Sequence, residues 1–383
     1  MSEKLDAIPF NRPYITGKEI DYISDAHARG KLSGDGHYTA LCSRWLESRT
    51  GAKKVLLTHS CTAALEMAAL LIDIKLGDEV IMPSYTFVSS ANAFVLRGGV
   101  PVFVDIKLED QNIDESKLEA AITPKTKAIV VVHYAGVACE MDTIMEIAGR
   151  YGLLVVEDAA QAIFSFYKGK PLGTIGQLGC FSFHETKNVV SGEGGALLVN
   201  DENLIERSEI IREKGTDRSR FFRGQVDKYT WQDVGSSYLP SEINAAFLWA
   251  QLQEGDSITS TRRKLWSIYL DTLSSFDHAS SSISLPIAGK KGNAHMFQIL
   301  LKTQTERERV SRVLSEKSIM AVSHYVPLHS SPKGVLVGRS DPGGLPVTDS
   351  VSSRLLRLPL YPDLGMEQER VIGALEFATS SED

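Results

Sequence analysis

The sequence predicts an α/β protein whose main sheet is mostly parallel. Between about residues 52 and 200, short apolar runs of strand length alternate with segments of helical periodicity. The apolar runs are nearly continuous, which is typical of strands that helices cover on both faces. The chain of 383 residues is long enough for a large domain and a smaller one.

Strands and helices follow one another in the predicted large domain. Apolar runs predict strands at Lys54–Thr58, Val80–Met82, Val102–Val104, Ala128–Val132 and Leu153–Val156. Apolar residues at helical spacing predict helices at Thr62–Ile74, Thr86–Leu96, Glu115–Ile122, Met141–Tyr151 and Glu202–Lys214, and a long one from Ser241 through Leu252 toward Ser274 with a break near Gly255. The polar and aromatic segment Gly215–Tyr238 is too long for a simple connection, which indicates a functional segment.

A smaller α/β domain is predicted for residues 251–383, after a large domain of residues 1–250 that includes an N-terminal arm. The Ser-rich stretch Ser274–Ser284 indicates a turn into it. Its predicted elements are strands at Phe297–Leu301, Ala321–Val326 and Leu355–Leu360, and helices at Arg307–Lys317 and Met366–Thr379.

Composition and charge exclude several classes of protein. A net charge of -7 without a basic face argues against nucleic-acid binding. No apolar stretch is long enough to cross a bilayer, and the N-terminus lacks the apolar core of a signal peptide. The four cysteines are scattered without a CxxC pair, which predicts reduced thiols in a cytoplasmic protein and no metal site.

The stretch from Gly179 to Gly195 places Lys187 on a polar turn beside an apolar run and a glycine-rich segment. Glycines allow close approach to a ligand, and a desolvated lysine has the lowered pKa that suits a nucleophile. Upstream, an apolar strand ends at Asp158, whose carboxylate can keep a pyridine nitrogen protonated. Together these residues predict pyridoxal phosphate (PLP) chemistry; a solvated lysine and a capping aspartate are the alternatives.

Further residues fit the same cofactor. Ser60 and Thr62 precede an apolar helix, where they either cap the helix or mark a phosphate site at its N-terminus, to which Ser182 adds a hydroxyl. Gln161 lies three residues after Asp158, where it can face the phenolic oxygen of the cofactor. Phe87 follows a strand end, where its ring either stacks on the cofactor or packs in the core.

Ordered motifs along nearly the whole chain resemble the DegT/StrS-type PLP-dependent nucleotide-sugar aminotransferases. The matching motifs are Ser33–Gly36, Ser60–Leu65, Gly77–Phe87, Val102–Asp105, His133–Gly136, Glu157–Gln161, Ser182–Lys187, Gly192–Gly195 and His324–His329. The resemblance implies the aspartate-aminotransferase-like fold (PLP fold type I), with a large domain and a smaller C-terminal α/β domain. It also implies a homodimer, or a dimer of dimers, with shared active sites.

Residue roles follow from the same resemblance. It implies Lys187 as the Schiff-base lysine, Asp158 at the pyridine nitrogen, Gln161 near the phenolic oxygen, Phe87 on the ring, and Thr62, Ala63 and Ser182 on the phosphate. Two positions depart from many relatives. Cys61 stands where they have glycine, and Ser237 stands where they have an asparagine that reaches the phosphate from the partner subunit.

The segment Phe221–Trp231 resembles the transaminases that make a sugar of enterobacterial common antigen. This resemblance implies a role in the synthesis of that antigen, or of lipopolysaccharide or O-antigen. The implied reaction moves an amino group from L-glutamate to the C4 keto group of dTDP-4-dehydro-6-deoxy-D-glucose, giving dTDP-4-amino-4,6-dideoxy-D-galactose. Transamination at another position, or of another nucleotide-linked keto sugar such as a UDP sugar, stays open. Candidate substrate contacts are His324, His329 and Arg223, with packed histidines and a solvated arginine as the alternatives.

Other PLP proteins fit less well. Related sugar dehydratases carry histidine in place of Lys187, and a desulfurase needs a late cysteine, whereas none follows Cys180. A PLP-binding regulator without turnover would require a DNA-binding or membrane segment, and the sequence shows neither.

Overall fold

The computed structural model describes residues 6–276, 283–286 and 292–380. An eight-stranded sheet forms its centre. The strands of this sheet are β1 (Lys54–Thr58), β2 (Glu79–Pro83), β3 (Val100–Val104), β4 (Thr126–Val132), β5 (Leu154–Asp158), β8 (Leu178–Ser182), β9 (Gly195–Val199) and β12 (Arg339–Ser340). Between β5 and β8, the two short strands β6 (Phe166–Tyr167) and β7 (Lys170–Pro171) pair only with each other.

The strand order in the large sheet is β1-β9-β8-β5-β4-β2-β3-β12. The six strands β8, β5, β4, β2, β3 and β12, which are neighbours in that order, are parallel to one another. The strand β9 runs antiparallel to both β8 and β1. Every residue of β2, β8 and β9 is buried, because helices cover both faces. The predicted fold class, an α/β protein with a mainly parallel sheet, is confirmed.

Two apolar cores separate the sheet from its helices. The helices of this part are α1 (Glu19–Ala28), α2 (His37–Thr50), α3 (Cys61–Leu71), α4 (Val88–Val95), α5 (Leu118–Ala121), α6 (Met141–Tyr151), α7 (Ile205–Arg212), α8 (Arg218–Phe222) and α9 (Glu242–Gln253). On one face α2, α6 and α9 pack against the sheet, and on the other face α3 and α4 do so. Burial of these apolar faces is the main favourable contribution to folding.

The C-terminal part builds a separate apolar core around a three-stranded antiparallel sheet, in the order β10-β11-β13. Its elements are α10 (Gly255–Ser274), β10 (Ile283–Ser284), β11 (Phe297–Leu301), α11 (Gln304–Glu316), α12 (Pro332–Val337), α13 (Pro346–Arg354), β13 (Leu355–Leu358) and α14 (Glu367–Ser380). Between α12 and α13 the chain returns to the large sheet as β12, which pairs with β3. The predicted boundary at residue 250 stays a prediction.

One predicted strand differs from the structure, whereas a predicted helix break is confirmed. The predicted strand Ala321–Val326 is wrong, because only Val322 pairs with another segment, in a single bridge to Arg357. In place of strand pairing, two side chains of this segment pack together: the rings of His324 and Tyr325 stack with their centroids 3.6 Å apart. The break near Gly255 is confirmed, because α9 ends at Gln253 and α10 begins at Gly255.

The predicted Ser-rich turn Ser274–Ser284 lies in part outside the described residues, which do not include 277–282. In the part of the chain that the structure describes, no helix is both long enough and apolar enough to span a membrane.

Candidate active site

A cavity of about 640 Å³ lies where three neighbouring strands end. Val132, Asp158 and Ser182 are the last residues of β4, β5 and β8, and all three line it. The cavity also takes residues from the N-terminal segment, from the first turn of α3 and from β13, so both parts of the chain enclose it. This is the carboxyl edge of the sheet, where ligands of open α/β folds bind.

Lys187 reaches this cavity from the connection between β8 and β9. Hydrogen bonds hold the connection in place: the Lys187 amide donates to His184 O (2.9 Å), and Asn188 Nδ2 donates to Asn293 O (3.0 Å). Among the described residues, Nζ of Lys187 has no hydrogen-bond or ion-pair partner. Burial lowers the pKa of Lys187, although Cys61 and Asp158 act in the opposite direction. A desolvated amine without a partner is suited to bond an electrophile.

Asp158 is a buried carboxylate, 5% exposed. Its Oδ2 accepts from Ser90 Oγ (2.6 Å), and its Oδ1 accepts from the Ala160 amide (3.2 Å). No described lysine, arginine or histidine forms an ion pair with it. A buried charge without an ion-pair partner is costly, so a cationic ligand group bound beside this carboxylate would be stabilised.

The first turn of α3 borders the cavity through Cys61 and Thr62. Ser60 is the N-cap, since its Oγ accepts from the Ala63 amide (3.1 Å), so the capping alternative is confirmed for Ser60. Ala63 itself is 1% exposed and does not line the cavity. Thr62 Oγ1 lies 2.7 Å from Ser89 Oγ, which gives a pair of hydroxyls beside the positive end of the helix.

The glycine-rich start of β9 runs very close to α3. A Cβ on Gly195 would lie 2.4 Å from the Cys61 amide nitrogen, so a side chain cannot stand there without displacing the helix start. Ser182, which pairs with Gly195 on the neighbouring strand, is buried and also lines the cavity. The segment therefore presents backbone and hydroxyl groups where an anion can bind.

Gln161 and Phe87 also line the cavity. The Gln161 amide is fixed at both ends: Oε1 accepts from the Ala135 amide (2.7 Å), and Nε2 donates to the Tyr325 hydroxyl (2.8 Å). Phe87 is 57% exposed, so it does not pack in the core. An aromatic ring presented at a cavity mouth is available to stack on a flat ligand.

The two candidate histidines differ in position. His324 lines the cavity, and its Nδ1 lies 2.7 Å from the Tyr134 hydroxyl. Burial lowers the pKa of His324 well below its usual value, with smaller effects from Arg357 and Lys187, so the ring is neutral at pH 7. His329 does not line the cavity; its Nδ1 lies 2.8 Å from Ser84 Oγ.

The structure does not bring Arg223 or Ser237 to this cavity. Arg223 donates through Nη1 to Glu209 Oε2 (2.7 Å) and lies on the outside of the chain. Ser237 is exposed and forms a bridge with Glu213. The resemblance places the residue at position 237 in a partner's site, and that assignment stays a prediction.

Sequence reasoning missed Arg357, His295 and Tyr325, which line the same cavity. Arg357 is the one charged residue within the apolar run Leu355–Leu360, an anomaly that the sequence displays. His295 Nδ1 lies 2.9 Å from Asn188 Oδ1, and burial lowers the pKa of His295 well below its usual value, with Lys187 as the next cause.

No group of three or more metal-binding side chains occurs within the described ranges.

These groups fit PLP in their chemistry. Lys187 supplies the amine for an aldehyde, Asp158 supplies the anion for a protonated ring nitrogen, and Phe87 supplies a stacking surface. The Thr62 hydroxyl lies in the first turn of α3, where a phosphate group is favoured, and Ser182 lines the same cavity.

Comparisons with known proteins agree with this geometry. The model of the DegT/DnrJ/EryC1/StrS aminotransferase family matches residues 13–376. GDP-perosamine synthase of Escherichia coli O157:H7 is 33% identical over 368 residues, 94% of this chain and 95% of that protein. GDP-perosamine synthase of Caulobacter vibrioides is 32% identical over 378 residues, 97% of this chain and 98% of that protein. Among solved structures, the PLP form of the putative sugar aminotransferase Spr1654 from Streptococcus pneumoniae is 26% identical with a TM-score of 0.88, covering 98% of this chain and 99% of that one.

Proposed function

We propose, from the premise that this chain belongs to the DegT/DnrJ/EryC1/StrS aminotransferase family, that it transfers the amino group of L-glutamate to a keto sugar carried on a nucleotide. The observation that carries the proposal is the pairing of Lys187 with Asp158 in one cavity. Asp158 is buried and Lys187 is half-buried, and neither forms an ion pair among the described residues. The family match confirms the predicted family and the enzyme class at the level of an aminotransferase.

The predicted cofactor, pyridoxal phosphate, is confirmed for this family of enzymes. When bound, it supplies an aldehyde that exchanges amines and a ring that stabilises negative charge on the reacting carbon. We propose that Lys187 Nζ holds the aldehyde carbon, that Asp158 holds the ring nitrogen, and that Thr62 and Ser182 hold the phosphate. The role given to Ala63 needs its amide to leave the Ser60 hydroxyl, to which it donates here.

Lys187 also moves the proton. Its amine has a pKa lowered by burial, so a larger fraction is neutral near pH 7 than for an exposed lysine. Nζ can then accept the proton from the α-carbon of the donor and would pass it to the cofactor in the first half of the reaction. In the second half it would run the same transfer in the opposite direction, from the cofactor to the sugar carbon. Ser90 donates to Asp158 Oδ2 and so orients the carboxylate that keeps the ring nitrogen protonated.

The finer proposal concerns the sugar. We infer dTDP-4-dehydro-6-deoxy-D-glucose as the acceptor and dTDP-4-amino-4,6-dideoxy-D-galactose as the product, from the resemblance of the segment Phe221–Trp231. His324 lines the cavity and is the histidine that we assign to the sugar. A homodimer with shared sites would give Arg223 and Ser237 a place at the partner's cavity, and this assembly, like a cytoplasmic location, stays a prediction.

A second acceptor class has support from the comparisons. Two relatives at 33% and 32% identity are named as synthases of GDP-perosamine, a sugar carried on GDP. A GDP-linked keto sugar is therefore the alternative acceptor, ahead of a UDP-linked one.

The test uses the purified holoenzyme. Glutamate should bleach its yellow absorbance, and a keto-sugar nucleotide should restore it, because each substrate completes one half of the reaction. dTDP-, GDP- and UDP-linked 4-keto-6-deoxy sugars are compared at equal concentration, and NMR of the product reports the aminated carbon and its configuration. Restoration by the dTDP sugar alone, with a galacto 4-amino product, is the expected result.

Two variants control the experiment. Lys187→Ala should bind cofactor without turnover, and Lys125→Ala, which changes an exposed lysine, should match the wild type. Preference for the GDP sugar would replace the finer proposal with its alternative. Failure of every keto sugar to restore the absorbance would contradict the proposed function and leave a PLP-binding protein without turnover.

A further inference from the structure

Arg357 is a charged side chain inside the active-site cavity, and the mechanism above gives it no task. It comes from β13 of the C-terminal part, whereas Lys187 and Asp158 come from the large sheet. Its backbone is fixed on both sides, because Arg357 exchanges two hydrogen bonds with Val322 (2.8 and 3.1 Å) and pairs with Gln298 on β11. The guanidinium is therefore presented to the cavity from a rigid strand.

The guanidinium has only neutral partners. Nε and Nη2 both donate to Ser323 O (3.3 and 2.9 Å), and the group lies over the Phe10 ring at 4.5 Å from its centroid. Within the described ranges, no carboxylate forms an ion pair with Arg357, and no residue accepts a hydrogen bond from Nη1. Most other arginines of the chain that line no cavity are paired; Arg339, for example, makes a two-pronged bond to Glu79.

Burial makes this arrangement costly without an anion. It lowers the pKa of Arg357, although the nearby phenols of Tyr134, Tyr325 and Tyr85 act in the opposite direction. An arginine remains protonated in proteins, so a partly desolvated positive charge stays in the cavity. Arg357 and Lys187 line the same cavity, and the Arg357 charge contributes to the lowered pKa of Lys187.

We propose that Arg357 binds a carboxylate of the amino-acid donor, which rests on the function proposed above. A guanidinium matches a carboxylate in charge and in planar, two-pronged geometry. The remaining donor, Nη1, is available for that carboxylate while Nη2 and Nε keep their bond to Ser323.

The chemistry of the two substrates favours the donor over the sugar. An amino acid carries a carboxylate on the very carbon that reacts, beside Lys187. The acceptor is a neutral ring with hydroxyl and methyl groups near its keto carbon, and its phosphates lie across the ring from that carbon. When the sugar occupies the cavity, the Ser323 carbonyl and the Phe10 ring still satisfy the guanidinium in part.

The test separates the two half-reactions of the holoenzyme. Single-turnover bleaching of the yellow form is measured against glutamate concentration. Separately, restoration of the absorbance of the amine form is measured against keto-sugar concentration. Arg357→Gln should raise the half-saturating glutamate concentration about 10- to 100-fold, the equivalent of one charged hydrogen bond, and leave the sugar half-reaction close to wild type.

Two further variants make the result specific. Arg357→Lys keeps the charge and should recover part of the glutamate affinity. Arg354→Gln is the matched control: this arginine donates to the backbone carbonyls of Ser350, Leu301 and Lys302 and lies outside the cavity, so it should bleach like the wild type.

Two outcomes would overturn the inference while the proposed function stands. One is an unchanged glutamate dependence in Arg357→Gln, and the other is an equal loss in both half-reactions, which would indicate a structural role or contact with the sugar nucleotide. Failure of the wild type itself to bleach with glutamate would instead contradict the choice of donor and, with it, this inference.

Discussion

Substitution of Glu157 by glutamine tests how the end of β5 is held beside Asp158. Glu157 is 0% exposed, and its carboxylate accepts four hydrogen bonds. Oε1 accepts from the amides of Ile175 (2.6 Å) and Gly176 (2.7 Å), and Oε2 accepts from the Gly173 amide (2.8 Å) and lies 2.9 Å from His133 Nε2. The side chain thus ties the strand to the turn before β8.

The partner of His133 fixes the direction of its bond. Its Nδ1 accepts from the Cys139 amide (3.2 Å), so Nε2 carries a hydrogen and donates to Glu157. The oxygen of a glutamine amide can replace only one carboxylate oxygen, and its NH₂ group would then face at least two donors. At about 1–3 kcal/mol for each buried donor left without an acceptor, Glu157→Gln should destabilise the protein by about 2–6 kcal/mol.

The assay is urea unfolding of the holoenzyme, read as the apparent free energy of unfolding. Asp142→Asn is the control, because Asp142 pairs with Lys168 on the surface and both side chains are about two-thirds exposed. That exposed pair should contribute less than about 1 kcal/mol. If Glu157→Gln unfolds within about 0.5 kcal/mol of the wild type, the reasoning on buried donors is refuted.

Three further predictions concern the cavity. Asp158→Asn should weaken PLP binding about 10- to 100-fold, because it removes one charged hydrogen bond; unchanged binding in a cofactor titration would contradict the assigned contact. His324→Phe should raise the KM for the keto sugar while His329→Phe should not, because only His324 lines the cavity; steady-state kinetics that reverse this order would contradict the assignment. The rate at which apoenzyme bonds PLP should rise with pH and level off below the usual lysine pKa of about 10.4, because burial lowers the pKa of Lys187 and its neutral amine is the reactive form. Stopped-flow absorbance measures this rate, and a rate that still rises at the usual pKa would contradict the direction of the shift.

The sequence was sufficient for residues whose place follows from a strand end. Asp158 and Ser182 close parallel strands, and such ends meet at one edge of a sheet, so their convergence could be predicted without coordinates. Lys187 follows directly in the next connection.

Residues that depend on the packing of the two parts of the chain could not be placed this way. Arg357 reaches the cavity from a strand 170 positions after Lys187, and nothing in local periodicity tells where that strand docks. His324 and His329 belong to one motif, yet only His324 lines the cavity. The wrong strand at Ala321–Val326 has the same origin. The sequence of a short apolar run does not show whether its backbone pairs in a sheet or its side chains pack against other rings.

Borohydride reduction of the yellow holoenzyme, followed by mass spectrometry of its peptides, tests the assignment of Lys187 most directly. Reduction makes the bond between the cofactor and its lysine permanent, so the modified residue can be read from the fragment masses. We predict the cofactor mass on Lys187. A modification on any other lysine, or none in protein that is visibly yellow, would contradict the account.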